Sequence, residues 1–121
     1  MPINPSYNSI SNSSGNVAAA VATATLTALP GTVAYISGFV LTGAGATAAS
    51  VIAVTVTGVI GGTMTYIVTV PAGATLQTPT LAVNFTTPVA ASGYGTNIVV
   101  SAPSFGAGNT NAAVVAYGYL A

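Results

Sequence analysis

From residue 17 onward, apolar and hydroxylated side chains alternate along the chain with a period of two. In 17–29 (VAAAVATATLTAL), Thr23, Thr25 and Thr27 alternate with Ala22, Ala24 and Leu26, and Pro30-Gly31 closes the run. A period of two describes a strand with one face buried, and Pro-Gly is turn chemistry. The rhythm returns at 32–42 (TVAYISGFVLT), 50–59 (SVIAVTVTGV), 63–70 (TMTYIVTV), 80–85 (TLAVNF), 97–102 (NIVVSA) and 112–120 (AAVVAYGYL). These runs make seven expected strands, and a short eighth is expected at 88–92. Their connectors are rich in Gly, Pro, Ser and Asn: GAGATAA at 43–49, Gly61-Gly62, Pro71-Ala72-Gly73, Ser92-Gly93 and GAGNTN at 106–111. Alanine is abundant enough to suggest helix. The interleaved Thr and Val, the frequent Gly and the absence of long polar helix formers favour strand instead.

Alternation also proposes a core. The inward candidates are Val33, Tyr35, Phe39, Leu41, Ile52, Val54, Val56, Met64, Tyr66, Val68, Val70, Leu81, Val83, Phe85, Val99, Val114 and Tyr117. Thr55, Thr57, Thr65 and Thr69 are expected to face outward. Seven or eight short strands at this spacing predict an all-β fold, an antiparallel β-sandwich of the jelly-roll type. Residues 1–16 (MPINPSYNSISNSSGN) break the rhythm, with nine Asn and Ser and two Pro. They read as a polar N-terminal arm (1–16) preceding a β-sandwich domain (17–121). No period of 20–50 residues repeats along the chain.

Composition narrows the chemistry. Ala, Thr, Val and Gly fill 71 of the 121 positions, and Asp, Glu, Lys, Arg, His and Cys are all missing. About a quarter of an ordinary domain is charged, so a count of zero removes whole classes of function. General acid–base catalysis needs a group that titrates near working pH, and only the termini and six Tyr phenols titrate here. The chain is therefore not expected to be an enzyme, and no catalytic residue is assigned. Zinc needs Cys or His, and calcium and magnesium sites are normally built on carboxylates, so no metal or other cofactor is assigned. Without Lys or Arg there is nothing to neutralise phosphates, and neither nucleic acid nor anionic lipid is an expected partner. The lack of cysteine excludes a disulfide framework.

A mean hydropathy of +0.81 raises the question of a membrane span. The nineteen residues 38–56 carry no strongly polar side chain, yet Gly43, Gly45, Ala46 and Thr47 form a turn-like centre between two β-branched runs. A strand–loop–strand fits this stretch better than a helix. The first residues lack a basic segment followed by an apolar core, so no secretory signal is expected.

Local patterns add little chemistry. GAGATA at 43–48 loosely matches a dinucleotide-binding loop, but a strand, not a helix, is expected after it and no acidic residue exists downstream. Asn12-Ser13-Ser14 and Asn84-Phe85-Thr86 are formal glycosylation sequons. The Pro2 amine, exposed by methionine removal, would be the only unconventional base. Tyr35, Tyr66, Tyr94, Tyr117 and Tyr119 could offer rings to a sugar, although Tyr more commonly fills a core or an interface. No small-molecule substrate is assigned.

What remains is association. β proteins protect exposed strand edges with charge, proline or bulges, and this chain has only proline and glycine available. Covering those edges with partners is the expected solution, through contacts based on shape, apolar packing and neutral hydrogen bonds. A polar arm followed by strands such as ATATLTALPGTVAYISGFVLTGAGATAAS, a central MTYIVTVPAGATL and a closing NAAVVAYGYLA resembles small jelly-roll decoration (cement) or head-fibre proteins of tailed bacteriophage virions. The resemblance covers residues 17–121 and lies in strand rhythm, not in a shared motif. It implies a structural subunit, homotrimeric, made in the host cytoplasm and bound on the capsid surface to the major capsid protein. The 1–16 arm would then anchor on the shell or exchange with a neighbour. The alternatives are a self-assembling surface-layer or filament subunit, or a non-catalytic glycan-binding module.

One physical consequence can be measured directly. No side chain titrates between about pH 4 and 9, so the thermal unfolding midpoint followed by circular dichroism stays within about 2 °C from pH 5 to 9. It is equally flat between about 0.02 and 0.3 M sodium chloride, and a swing of about 10 °C would show that charge matters to the fold.

Overall fold

The chain forms eight strands: β1 (Asn8–Ser13), β2 (Ala22–Leu26), β3 (Ala34–Ala44), β4 (Ser50–Thr57), β5 (Met64–Val70), β6 (Leu81–Ala90), β7 (Ile98–Ala102) and β8 (Asn111–Leu120). The computed structural model describes residues 8–46, 48–73, 80–105 and 111–121, and among these there is no helix. Two four-stranded sheets result, ordered β1-β8-β3-β6 and β2-β7-β4-β5.

The order follows from nested pairing. β4 pairs β5, β3 pairs β6, β2 pairs β7 and β1 pairs β8, every pair antiparallel. The chain is one long hairpin whose tip is β4 and β5, folded over so that alternate pairs fall in opposite sheets. The β3–β8 and β4–β7 pairings then join the pairs within each sheet. This is an eight-stranded jelly roll, the antiparallel sandwich that the sequence predicts.

Several element boundaries differ from expectation. Asn8–Ser13, within the polar 1–16 segment, is an edge strand paired along its length with β8. An edge strand needs only its backbone and one inward side chain, here Ile10, so Asn and Ser elsewhere in it are no obstacle. The ladder runs on past β1: the Ser14 N–H donates to the Val114 carbonyl (2.8 Å), the Val114 N–H to Ser14 Oγ (2.9 Å) and the Val17 N–H to the Ala112 carbonyl (2.8 Å). Next, the expected strands at 80–85 and 88–92 merge into β6, which carries Pro88. Proline is tolerated because β6 lies at a sheet edge. Finally, Gly43 and Ala44, expected in a loop, complete β3, while of the first expected run only Ala22–Leu26 is strand.

Leu29-Pro30-Gly31-Thr32 is the expected turn. The Thr32 N–H donates to the Leu29 carbonyl (3.1 Å), and Gly31 at φ 78° takes the left-handed position that follows proline in a type II turn.

The core lies between the sheets. Ile36, Phe39 and Leu41 on one side and Ile52, Val54, Val56, Ile98 and Val100 on the other are almost fully buried. Phe39 crosses the interlayer space to meet Tyr66 of the opposite sheet edge-to-face at 5.3 Å, and lies 6.5 Å from Phe85. Phe105, outside the expected strands, is also fully buried. Val33, Met64, Tyr66, Leu81, Val83 and Phe85 flank the core half-buried, while Thr65 and Thr69 are exposed and Thr55 and Thr57 half-exposed, alternating with buried valines.

Tyr35, Val99 and Tyr117 were expected inside and point outward instead. β3 carries a bulge between Ile36 and Gly38, against both β8 and β6. One extra residue reverses the alternation: Ala34 and Ile36 face inward before it, Phe39 and Leu41 after it, and Tyr35 is turned out. In β8 the inward set is Ala112, Val114, Ala116 and Leu120, which places Tyr117 on the other side. In β7 the run Ile98-Val99-Val100 is apolar at every position, and pairing resolves it with Ile98 and Val100 inside.

The two central strands of the first sheet approach closely at Gly118, where a Cβ would run into the Tyr35 carbonyl. Both strands are held on each side, so neither backbone can yield cheaply. Gly118→Ala lowers the unfolding free energy by about 2 kcal/mol or more, measured by urea denaturation.

Candidate functional site: the outer sheet faces

With the inner faces committed to the core, the surfaces that can meet a partner are the two outer sheet faces and the strand edges. They differ in chemistry. On the β1-β8-β3-β6 sheet, Tyr35 and Tyr119 are directly opposite in register. Their rings stack at 4.8 Å with an interplanar angle of 11°. Tyr117 is opposite Gly38, and a Cβ on Gly38 would meet the Tyr117 hydroxyl, so glycine here lets the phenol lie over the strand. Val40 and Val115 form the next pair along the same face. The result is an aromatic and apolar ridge along β3 and β8.

Beside that ridge the surface drops. β1 sets Ser9 opposite Tyr119 and Ser11 opposite Tyr117, so short side chains neighbour long ones. A groove of about 360 Å³ follows, lined by Ser9, Ile10, Ser11, Ser37, Tyr117 and Gly118.

The outer face of the other sheet is hydroxylated. Thr23 pairs with Ser101, Ser101 with Thr55 and Thr55 with Thr65, a row of four hydroxyl residues crossing all four strands. In the adjoining row, Thr25 pairs with Val99 and Val99 with Thr57, whose Oγ1 donates to the Val99 carbonyl at 3.4 Å. Toward β5 the face becomes more apolar, with Val51 and Ile67 about two-thirds exposed. A second groove of about 480 Å³ lies beside them between Ser50 and Pro71. Among the described residues, Ser50 Oγ is a buried side-chain polar atom without a hydrogen-bond partner.

The structure sorts the tyrosines considered for sugar stacking. Tyr66, half-buried, packs edge-to-face on Phe39. Tyr94 stands alone and 76% exposed in the segment between β6 and β7. Only Tyr35, Tyr117 and Tyr119 share a surface. Part of that grouping is readable in the sequence, because residues two apart in a strand lie on one face, which unites Tyr117 with Tyr119. Tyr35 joins them only through the β3–β8 register and the bulge. Asn12 and Asn84, of the two sequons, are both exposed, on β1 and β6. The GAGATA segment leads into β4, so the dinucleotide reading has no helix to stand on. Pro2 lies outside the described residues, and among those described no helix is long and apolar enough to cross a membrane.

No protein-family model matches the sequence, and no curated protein matches it.

The stacked pair can be weighed by a double-mutant cycle. Tyr35→Ala and Tyr119→Ala together cost less than the sum of the single changes, by about 1 kcal/mol in urea denaturation, the range for an aromatic pair. Strict additivity would mean that the rings do not interact.

Proposed function

We propose that this chain is a non-catalytic structural subunit that self-associates, a bacteriophage capsid decoration (cement) protein acting as a homotrimer. It binds its own copies and the major capsid protein through uncharged contacts, on the exterior of the virion. The observation that carries the reading is an entirely uncharged jelly roll that keeps stacked tyrosines on an outer sheet face. Aromatic residues are enriched where proteins meet and charged residues are depleted at interface centres, so this face has the composition of an interface core. Support comes also from the opposite face, whose Thr and Ser hydroxyls supply the hydration that Lys and Glu give other proteins. Dispensing with charge suits a permanent assembly, since neutral contacts are insensitive to the ionic conditions outside the cell.

Sedimentation equilibrium tests the first half of this reading. The expected mass is three times 11.6 kDa, the same at low and high salt, and a monomer would overturn self-association. Co-sedimentation with expanded capsids of tailed phages lacking decoration tests the second half. Saturable binding that survives about 1 M salt is the expected result, and binding lost at that salt would contradict the uncharged contact.

A further inference from the structure

We infer that the copies meet through the outer face of the β1-β8-β3-β6 sheet, the ridge of Tyr35, Tyr119 and Tyr117 on one copy seating against the serine-lined groove of the next. This rests on the self-association reading and names the surface it uses.

Three observations select this face and its occupant. The first is shape: ridge and groove lie side by side on one sheet, because β1 places Ser9 and Ser11 directly opposite Tyr119 and Tyr117. A projecting strip beside a recessed one lets the ridge of one copy seat in the groove of the next. Such contacts join unlike patches on neighbouring copies and close into a ring when the rotation allows, as three copies do about a threefold axis. The second is charge. No position on the face can offer a counter-charge, so a partner placing Lys or Asp there would lose hydration with nothing in return. Another copy of this chain is necessarily as uncharged as the face itself. The third is contrast. The opposite sheet presents a four-residue hydroxyl row across its width, which water satisfies at no cost, and its exposed Val51 and Ile67 lie on the β4–β5 side, whereas the rings and valines of the first sheet run along its two central strands and gain from being covered.

The test places one charge on each face. Val115 is 40% exposed on the ridge and Thr65 is exposed on the hydroxyl row, so a lysine fits either position in the isolated subunit. Val115→Lys buries a charge in the contact with no counter-charge and raises the dissociation constant at least about a hundredfold in sedimentation equilibrium, while Thr65→Lys leaves it unchanged. Circular dichroism checks that both variants keep the wild-type β spectrum. A second measurement is independent of the lysine fold. The chain has no cysteine, so Ser11→Cys and Thr65→Cys each create a single labelling site. In the assembled wild-type background, maleimide modifies Ser11→Cys about tenfold more slowly or less than Thr65→Cys, and the difference vanishes on dilution to subunits.

Equal labelling rates in the assembly, unchanged association of a folded Val115→Lys, or dissociation by Thr65→Lys alone would overturn this face while leaving self-association standing. A wild type that is monomeric at every concentration would overturn the self-association reading itself.

Discussion

The bulge between Ile36 and Gly38 is the constraint on which both the interior and the surface of this protein depend. β3 is a central strand, paired with β8 on one side and β6 on the other, and its two halves must each bury large side chains. Without the extra residue, Ile36 and Phe39 would lie on opposite faces and one would be stranded in solvent. With it, both reach the core, Phe39 spans the gap to Tyr66, and Tyr35 turns outward to stack on Tyr119. The irregularity costs ladder hydrogen bonds locally. It returns a continuous core and an outer aromatic pair.

The absence of charge acts at a different level. It does not choose the fold, which follows from alternation, turn chemistry and the burial of Val, Ile, Leu and Phe. It governs what the finished surface can do: no electrostatic steering, no pairing of opposite charges, and no repulsion to keep copies apart. A hydroxyl row on one outer face and stacked phenols on the other stand where another protein would carry charge. The same sandwich therefore carries two outer faces of unlike character although its four commonest residue types are uncharged throughout.

Polar composition proved a poor guide to which segments join a sheet. The stretch NSISNS looks like a linker, yet β8 offers an unpaired edge, and the β1 backbone satisfies it with only Ile10 turned to the core. Edge strands escape the hydrophobic pattern because one side of their backbone and most of their side chains stay wet. The opposite problem arises in β7, where Ile98, Val99 and Val100 are all apolar and alternation has nothing to distinguish. Register with β2 and β4 decides which of them faces inward.

Strand content, the Pro30-Gly31 turn and the outward threonines of β4 and β5 are all legible along the chain, since each depends on neighbours one or two residues away. The bulge in β3, the recruitment of β1, the phase of β7 and the meeting of Tyr35 with Tyr119 are not. Each is settled by pairing between segments far apart in sequence, up to the β1–β8 pair that joins the beginning of the described chain to its end. A period of two states that a strand has two faces. Which face is inner emerges only when the second sheet arrives to cover it, because burial is a property of the packed layers and not of either strand alone.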